Sequence, residues 1–175
     1  MTAPTPRRPR VVLVGPMGAG KTTVGRIVAQ DLGVGFRDTD ADVETAAGKP
    51  VAEIFVDDGE AAFRALEQEA VERALGEHDG VLALGGGAVM TPAVRDALAG
   101  HEVVFLRVGL TDAVKRVGMG TGRPLLLGNV RARVKQLLDE RTPVYESVAT
   151  RVVETDGRDA ATVAAEIRAS LEEGR

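Results

Sequence analysis

The chain has 175 residues, with 22 Lys and Arg against 26 Asp and Glu and a net charge of −4. That length suits one domain with a real core, and the acidic balance excludes a general attraction to nucleic acid or anionic membranes. The absence of cysteine and tryptophan excludes a disulfide framework, a thiolate metal site and a cysteine nucleophile, leaves little aromatic surface for stacking bases, and suits a reducing cytosol.

Residues 1–10 are basic and proline-rich without an apolar signal core, and read as a leader before the first strand. No apolar run approaches the roughly 18 residues of a membrane span. Val11-Val12-Leu13-Val14 is a short β-branched run, the pattern of a strand buried on both faces. Gly15-Pro16-Met17-Gly18-Ala19-Gly20-Lys21-Thr22 follows it and completes GxxxxGK[ST], a phosphate-binding loop. Its glycines let backbone N–H groups turn toward a phosphate, Lys21 reaches the β and γ phosphates, and the Thr22 hydroxyl can hold Mg²⁺. From Thr22 to Leu32, Val24, Ile27, Val28 and Leu32 recur at helical spacing, so a helix N-terminus faces the same anion.

Further strands are expected at Val34–Asp38, Val81–Leu84, Val103–Val108 and Arg151–Glu154, separated by helical patterns. Residues 60–75 form a long helix with Ala62, Phe63, Leu66, Ala70, Val71 and Leu75 inward. Helices also start at Thr91-Pro92 and Thr111-Asp112, stopped by Gly100 and Gly118, and a last one spans Ala160–Leu171. His78 and His101 sit in turn-like surroundings and read as surface residues. Gly118-Met119-Gly120-Thr121-Gly122-Arg123-Pro124 is too rich in glycine for a regular element and reads as a mobile lid carrying Arg123. Alternating strands and helices give an α/β fold with a parallel sheet covered on both faces.

Ligands of such sheets bind at the carboxyl ends of the strands. The chain places there the phosphate loop, Asp38-Thr39-Asp40 and Gly85-Gly86-Gly87. Asp38 and Asp40 alternate along an extended segment and are expected in different environments, one toward Mg²⁺ and one toward an acceptor hydroxyl. Asp40 also stands where a helix cap would. Arg64 has Glu60 and Glu67 at helical spacing, so surface pairing is its default reading. Arg141 reads as a charge at a helix end. Two arginines beside an acceptor aspartate would suit a small anionic acceptor.

These motifs together resemble shikimate kinase over nearly the whole chain, from Val11 to about Leu171. The resemblance rests on Gly15–Thr22, Asp38-Thr39-Asp40, Phe63-Arg64 with Glu67, Gly85-Gly86-Gly87, Arg123-Pro124-Leu125-Leu126 and Arg141-Thr142-Pro143-Val144-Tyr145. It implies a three-layer P-loop kinase fold: a five-stranded parallel sheet in the order 2-3-1-4-5, helices on both faces and a mobile lid at about 118–128. Residues 1–175 would be a single domain, with the shikimate-binding segment at about 41–75. It implies transfer of the ATP γ-phosphoryl to the 3-hydroxyl of shikimate, with Mg²⁺. Carried over, Asp40, Lys21 and Arg123 are catalytic. Gly18, Ala19, Gly20, Lys21, Thr22, Thr23 and Arg123 bind ATP. Asp40, Arg64, Gly86 and Arg141 bind shikimate, and Thr22 and Asp38 serve the metal. Arg116 and Thr155-Asp156-Gly157 are candidates for adenine. A cytoplasmic monomer is expected, with no nucleic-acid or membrane partner. Thr22 stands where serine is common in the family. A kinase for gluconate or a nucleoside monophosphate is the runner-up reading. A GTPase switch lacks its Asn-Lys-x-Asp reader, since the only asparagine, Asn129, precedes Val130.

Overall fold

A run of apolar residues without polar alternation must be covered on both sides, and residues 11–14, 81–83 and 103–106 are. The computed structural model describes residues 3, 5–119 and 129–174. Strands β1 (Val11–Val14), β2 (Phe36–Asp38), β3 (Val81–Ala83), β4 (Val103–Arg107) and β5 (Arg151–Glu154) form one five-stranded sheet in the order β2-β3-β1-β4-β5. Every pairing is parallel. Helices α1 (Lys21–Leu32), α2 (Thr39–Ala47), α3 (Val51–Asp57), α4 (Glu60–Glu77), α5 (Pro92–Ala97), α6 (Leu110–Met119), α7 (Val130–Val148) and α8 (Ala160–Glu173) connect or flank the strands.

Successive strand residues point to opposite faces, and β1 divides accordingly. Val11 and Leu13 join Val24, Val28 and Ile167 of α1 and α8. Val12 and Val14 join Val71, Phe105 and Tyr145 on the side of α4 and α7. All four β1 residues are essentially inaccessible, and each such side chain contributes about 1.5–3 kcal/mol by leaving water. A third, smaller cluster of Val43, Ile54 and Phe63 holds α2, α3 and α4 together beside the sheet.

Several boundaries differ from the sequence reading. Only Phe36–Asp38 of the second run is strand, at the sheet edge. The region after it folds as two helices. Gly48 ends α2 in the left-handed region (φ 72°), and Pro50 leads into α3. Helix α6 passes Gly118 to end at Met119, and α5 ends at Ala97, ahead of Gly100. The histidines are half-buried rather than on the surface. The lid reading, with Arg123, lies outside the described residues.

Candidate active site

The carboxyl ends of β1, β2 and β3 lie side by side, and the segments that follow them line one cavity of about 440 Å³. After β1, Gly20 takes a left-handed conformation (φ 91°) and begins α1 with no side-chain cap and no acidic residue in the first turn. The first N–H groups of α1 are therefore left for an external anion. Lys21 Nζ donates to the carbonyls of Gly15 at 2.6 Å and Pro16 at 2.9 Å. Burial lowers its pKa to about 8, against the pull of Asp40 and Asp38.

At the end of β2 the sequence reading is corrected twice. The chain turns helical at Thr39, so Asp38 and Asp40 do not alternate along an extended segment, and both line the same cavity. The helix cap is Asp38, not Asp40: its carboxylate accepts the Asp40 N–H at 2.9 Å. That leaves the Asp40 carboxylate in the first turn and free of capping duty. Burial raises its pKa, the Asp38 charge adds to the rise, and Lys21 opposes it. A carboxylate so placed is a better base than an exposed one.

The turn after β3 is the floor of the site. Thr39, fully buried, ties it to β2 by accepting the Gly85 N–H at 3.3 Å. Each glycine lies against a functional side chain. A Cβ at Gly85 would sit 2.6 Å from Asp40 Oδ1 and 2.9 Å from Glu67 Oε2, and one at Gly87 would sit 2.5 Å from Arg64 Nη2. A Cβ at Gly86 would lie 3.6 Å from Arg141 Nη1, an ordinary contact. At Gly85 and Gly87 glycine is thus required for close approach and not only for a tight turn.

Arg64 projects from α4 over the Phe63 ring and donates to Glu67 Oε1 at 2.7 Å. Glu67 is 1% exposed, so this is not the solvated pair expected from helical spacing. Burial raises the Glu67 pKa and the Arg64 guanidinium opposes the rise. Arg141 also departs from expectation. It sits inside α7, which continues through Pro143 to Val148, and it lines the cavity instead of capping a helix end.

A family model described as shikimate kinase matches residues 17–172. The chain belongs to the shikimate kinase family. The shikimate kinase of Salinispora arenicola is 61% identical over 163 residues, which is 93% of this chain and 98% of that one. That of Thermobifida fusca is 61% identical over 148 residues, 85% of this chain and 86% of the relative. Among solved structures, shikimate kinase from Acinetobacter baumannii in complex with shikimate superposes with a TM-score of 0.89 at 34% identity, over 97% of this chain and 95% of that one.

As a member of the shikimate kinase family the chain is a kinase, with ATP as co-substrate. The structure brings Gly18, Gly20, Lys21, Thr22, Thr23, Asp38, Asp40, Arg64, Gly86 and Arg141 to one cavity. A second hollow of about 230 Å³ lies on the other side of Gly20, lined by Ala19, Thr23, Arg116 and Thr155. There Arg116 donates to the Gly18 carbonyl at 3.1 Å and to the Thr155 carbonyl at 3.1 Å. Sequence reasoning placed Glu67 only in a surface pair with Arg64 and gave no role to Tyr145. A signal for the latter was available, since Tyr145 is the chain's single tyrosine and lies one helical turn after Arg141.

Proposed function

We propose that the protein transfers the γ-phosphoryl group of ATP to the 3-hydroxyl of shikimate, giving ADP and shikimate 3-phosphate on the route to chorismate and the aromatic amino acids. The observation that carries this reading is one cavity in which Asp40, Arg64 and Arg141 face Lys21 and the uncapped start of α1.

The backbone N–H groups of Gly18, Ala19 and Gly20, with Lys21, Thr22 and Thr23, hold the triphosphate. Lys21 exchanges its Gly15 and Pro16 carbonyl partners for phosphate oxygens. Thr22 and Asp38 line the same cavity, and among the described residues no group of three or more His, Asp or Glu could cage a metal. That donor set fits Mg²⁺, which keeps several waters and binds through few protein ligands plus substrate phosphates. The ion supplies charge neutralisation on the β and γ phosphates when bound.

Arg64 and Arg141 grip the shikimate carboxylate, each guanidinium offering paired N–H donors. Gly86 adds a backbone contact. Asp40 accepts the proton of the attacking hydroxyl as the oxygen–phosphorus bond forms and the bond to ADP breaks. Arg123, outside the described residues, would by the family resemblance act on the transferring phosphoryl. The adenine lies toward Arg116 and Thr155. We also read the chain as one domain, in keeping with its continuous sheet, and, as the family resemblance implies, as a cytoplasmic monomer.

Coupled ADP release tests the reading with shikimate, gluconate and AMP as acceptors. Turnover with shikimate alone is expected. Equal or faster turnover with gluconate or AMP would overturn the assignment of the acceptor.

A further inference from the structure

Tyr145 has no part in the scheme above, yet it lies where α7 meets the glycine turn of the site. Its side chain is fully buried. Its hydroxyl donates to the Gly86 carbonyl, and its ring stacks on Phe105 of β4, with centroids 5.0 Å apart. Arg141 precedes it by one turn of α7, and its charge opposes the rise that burial causes in the phenol's pKa. The same Arg141 runs along Gly86, while the flanking glycines are pressed against Asp40 and Arg64. One buried hydroxyl therefore joins the helix that carries one arginine to the turn on which the other arginine and the acidic group rest.

We infer that Tyr145 is a positioning residue for the acid acceptor: its hydrogen bond to Gly86 sets the distance between Arg141 and the glycine turn, and so the grip on the carboxylate. This rests on the reading that Arg141 faces shikimate. The phenol suits the task, because burial pushes its pKa up to about 12 and keeps it a donor at any working pH. A core-filling role would need only the ring, which phenylalanine also supplies.

The experiment compares wild type, Tyr145→Phe, Arg141→Ala and the double variant, with shikimate and ATP varied separately and ADP binding measured directly. Arg141→Ala checks the underlying reading alone, through a raised KM for shikimate. Tyr145→Phe is expected to raise that KM about tenfold, equivalent to about 1.4 kcal/mol. Its kcat, its KM for ATP and its ADP affinity should stay within about twofold, because the phosphate loop keeps its own contacts. In the double variant the Tyr145 change should add less than about tenfold to Arg141→Ala, since residues acting by one route do not add. An unchanged KM for shikimate in Tyr145→Phe, with Arg141→Ala impaired, would overturn the inference and leave the site reading standing. A parallel loss of ADP affinity would also overturn it, as the mark of a merely structural role. An unimpaired Arg141→Ala would overturn the site reading and the inference with it.

Discussion

Gly87→Ala isolates one contact of the site. Gly87 has φ −102° and ψ 1°, values that alanine adopts, so the backbone does not resist the change. The new Cβ would lie 2.5 Å from Arg64 Nη2 and 2.7 Å from Nη1. Ordinary contact requires the guanidinium to retreat by about 1 Å. It is the far end of a flexible side chain and can do so, which spares the fold. Retreat carries the fork out of line with a bound carboxylate, and misplacement by about 1 Å costs up to about 10²-fold in an enzyme. We therefore expect kcat/KM for shikimate to fall about 30- to 100-fold, about 2–3 kcal/mol. The KM for ATP should change less than about twofold and the melting free energy by under about 1 kcal/mol. Steady-state ADP release, with each substrate varied at saturating partner, separates these. A shikimate kcat/KM within about twofold of wild type, or an equal loss on the ATP side, would refute the reasoning.

Three other perturbations probe the remaining parts. Asp40→Asn should lower kcat by about 10²–10⁴-fold while binding ATP normally. It should also melt above wild type at pH 7. The Asp40 pKa is raised in the fold by burial and by Asp38, so its contribution to stability is present below the unfolded value and is lost as pH rises through the folded one. The difference in melting should close as pH falls toward about 4, and an asparagine variant that melts lower at pH 7 would contradict this. Lys21 titrates at about 8 in the free protein, and triphosphate oxygens favour its charged form. Binding ATP at pH 8 should take up about half a proton, read by calorimetry in buffers of different ionisation enthalpy; identical heats would count against the assigned contact. Thr22→Ala should raise the Mg²⁺ concentration for half-maximal rate about tenfold or more, and an unaltered Mg²⁺ titration would remove Thr22 from the metal's surroundings.

The sheet was legible because β1, β3 and most of β4 are uninterrupted apolar runs, and because the glycine loop announces the first strand–helix junction. The helices between β2 and α4 were harder. Helix α3 has seven residues and rests on the small cluster of Val43, Ile54 and Phe63, a contact visible only in three dimensions. Glu67 beside Arg64 has the spacing of a solvated ion pair. Its burial depends on Gly85 across the cavity, which no local pattern records. Arg141 reads as a helix-end charge, yet α7 runs on through Pro143 to Val148, although an interior proline costs a helix a backbone donor and crowds the preceding turn. The helix cap falls on Asp38 and not Asp40 because strand β2 stops at Asp38 rather than running on to Asp40.

The central claim is that the acceptor's carboxylate is held by Arg64 and Arg141 so that a single hydroxyl reaches Asp40 and the γ-phosphate. Phosphorus–proton correlated NMR of the product formed from ATP and shikimate tests it most directly. The account predicts one phosphomonoester, coupled to the proton on carbon 3. A phosphate on another hydroxyl, a mixture of positions, or ADP with free phosphate alone would contradict it.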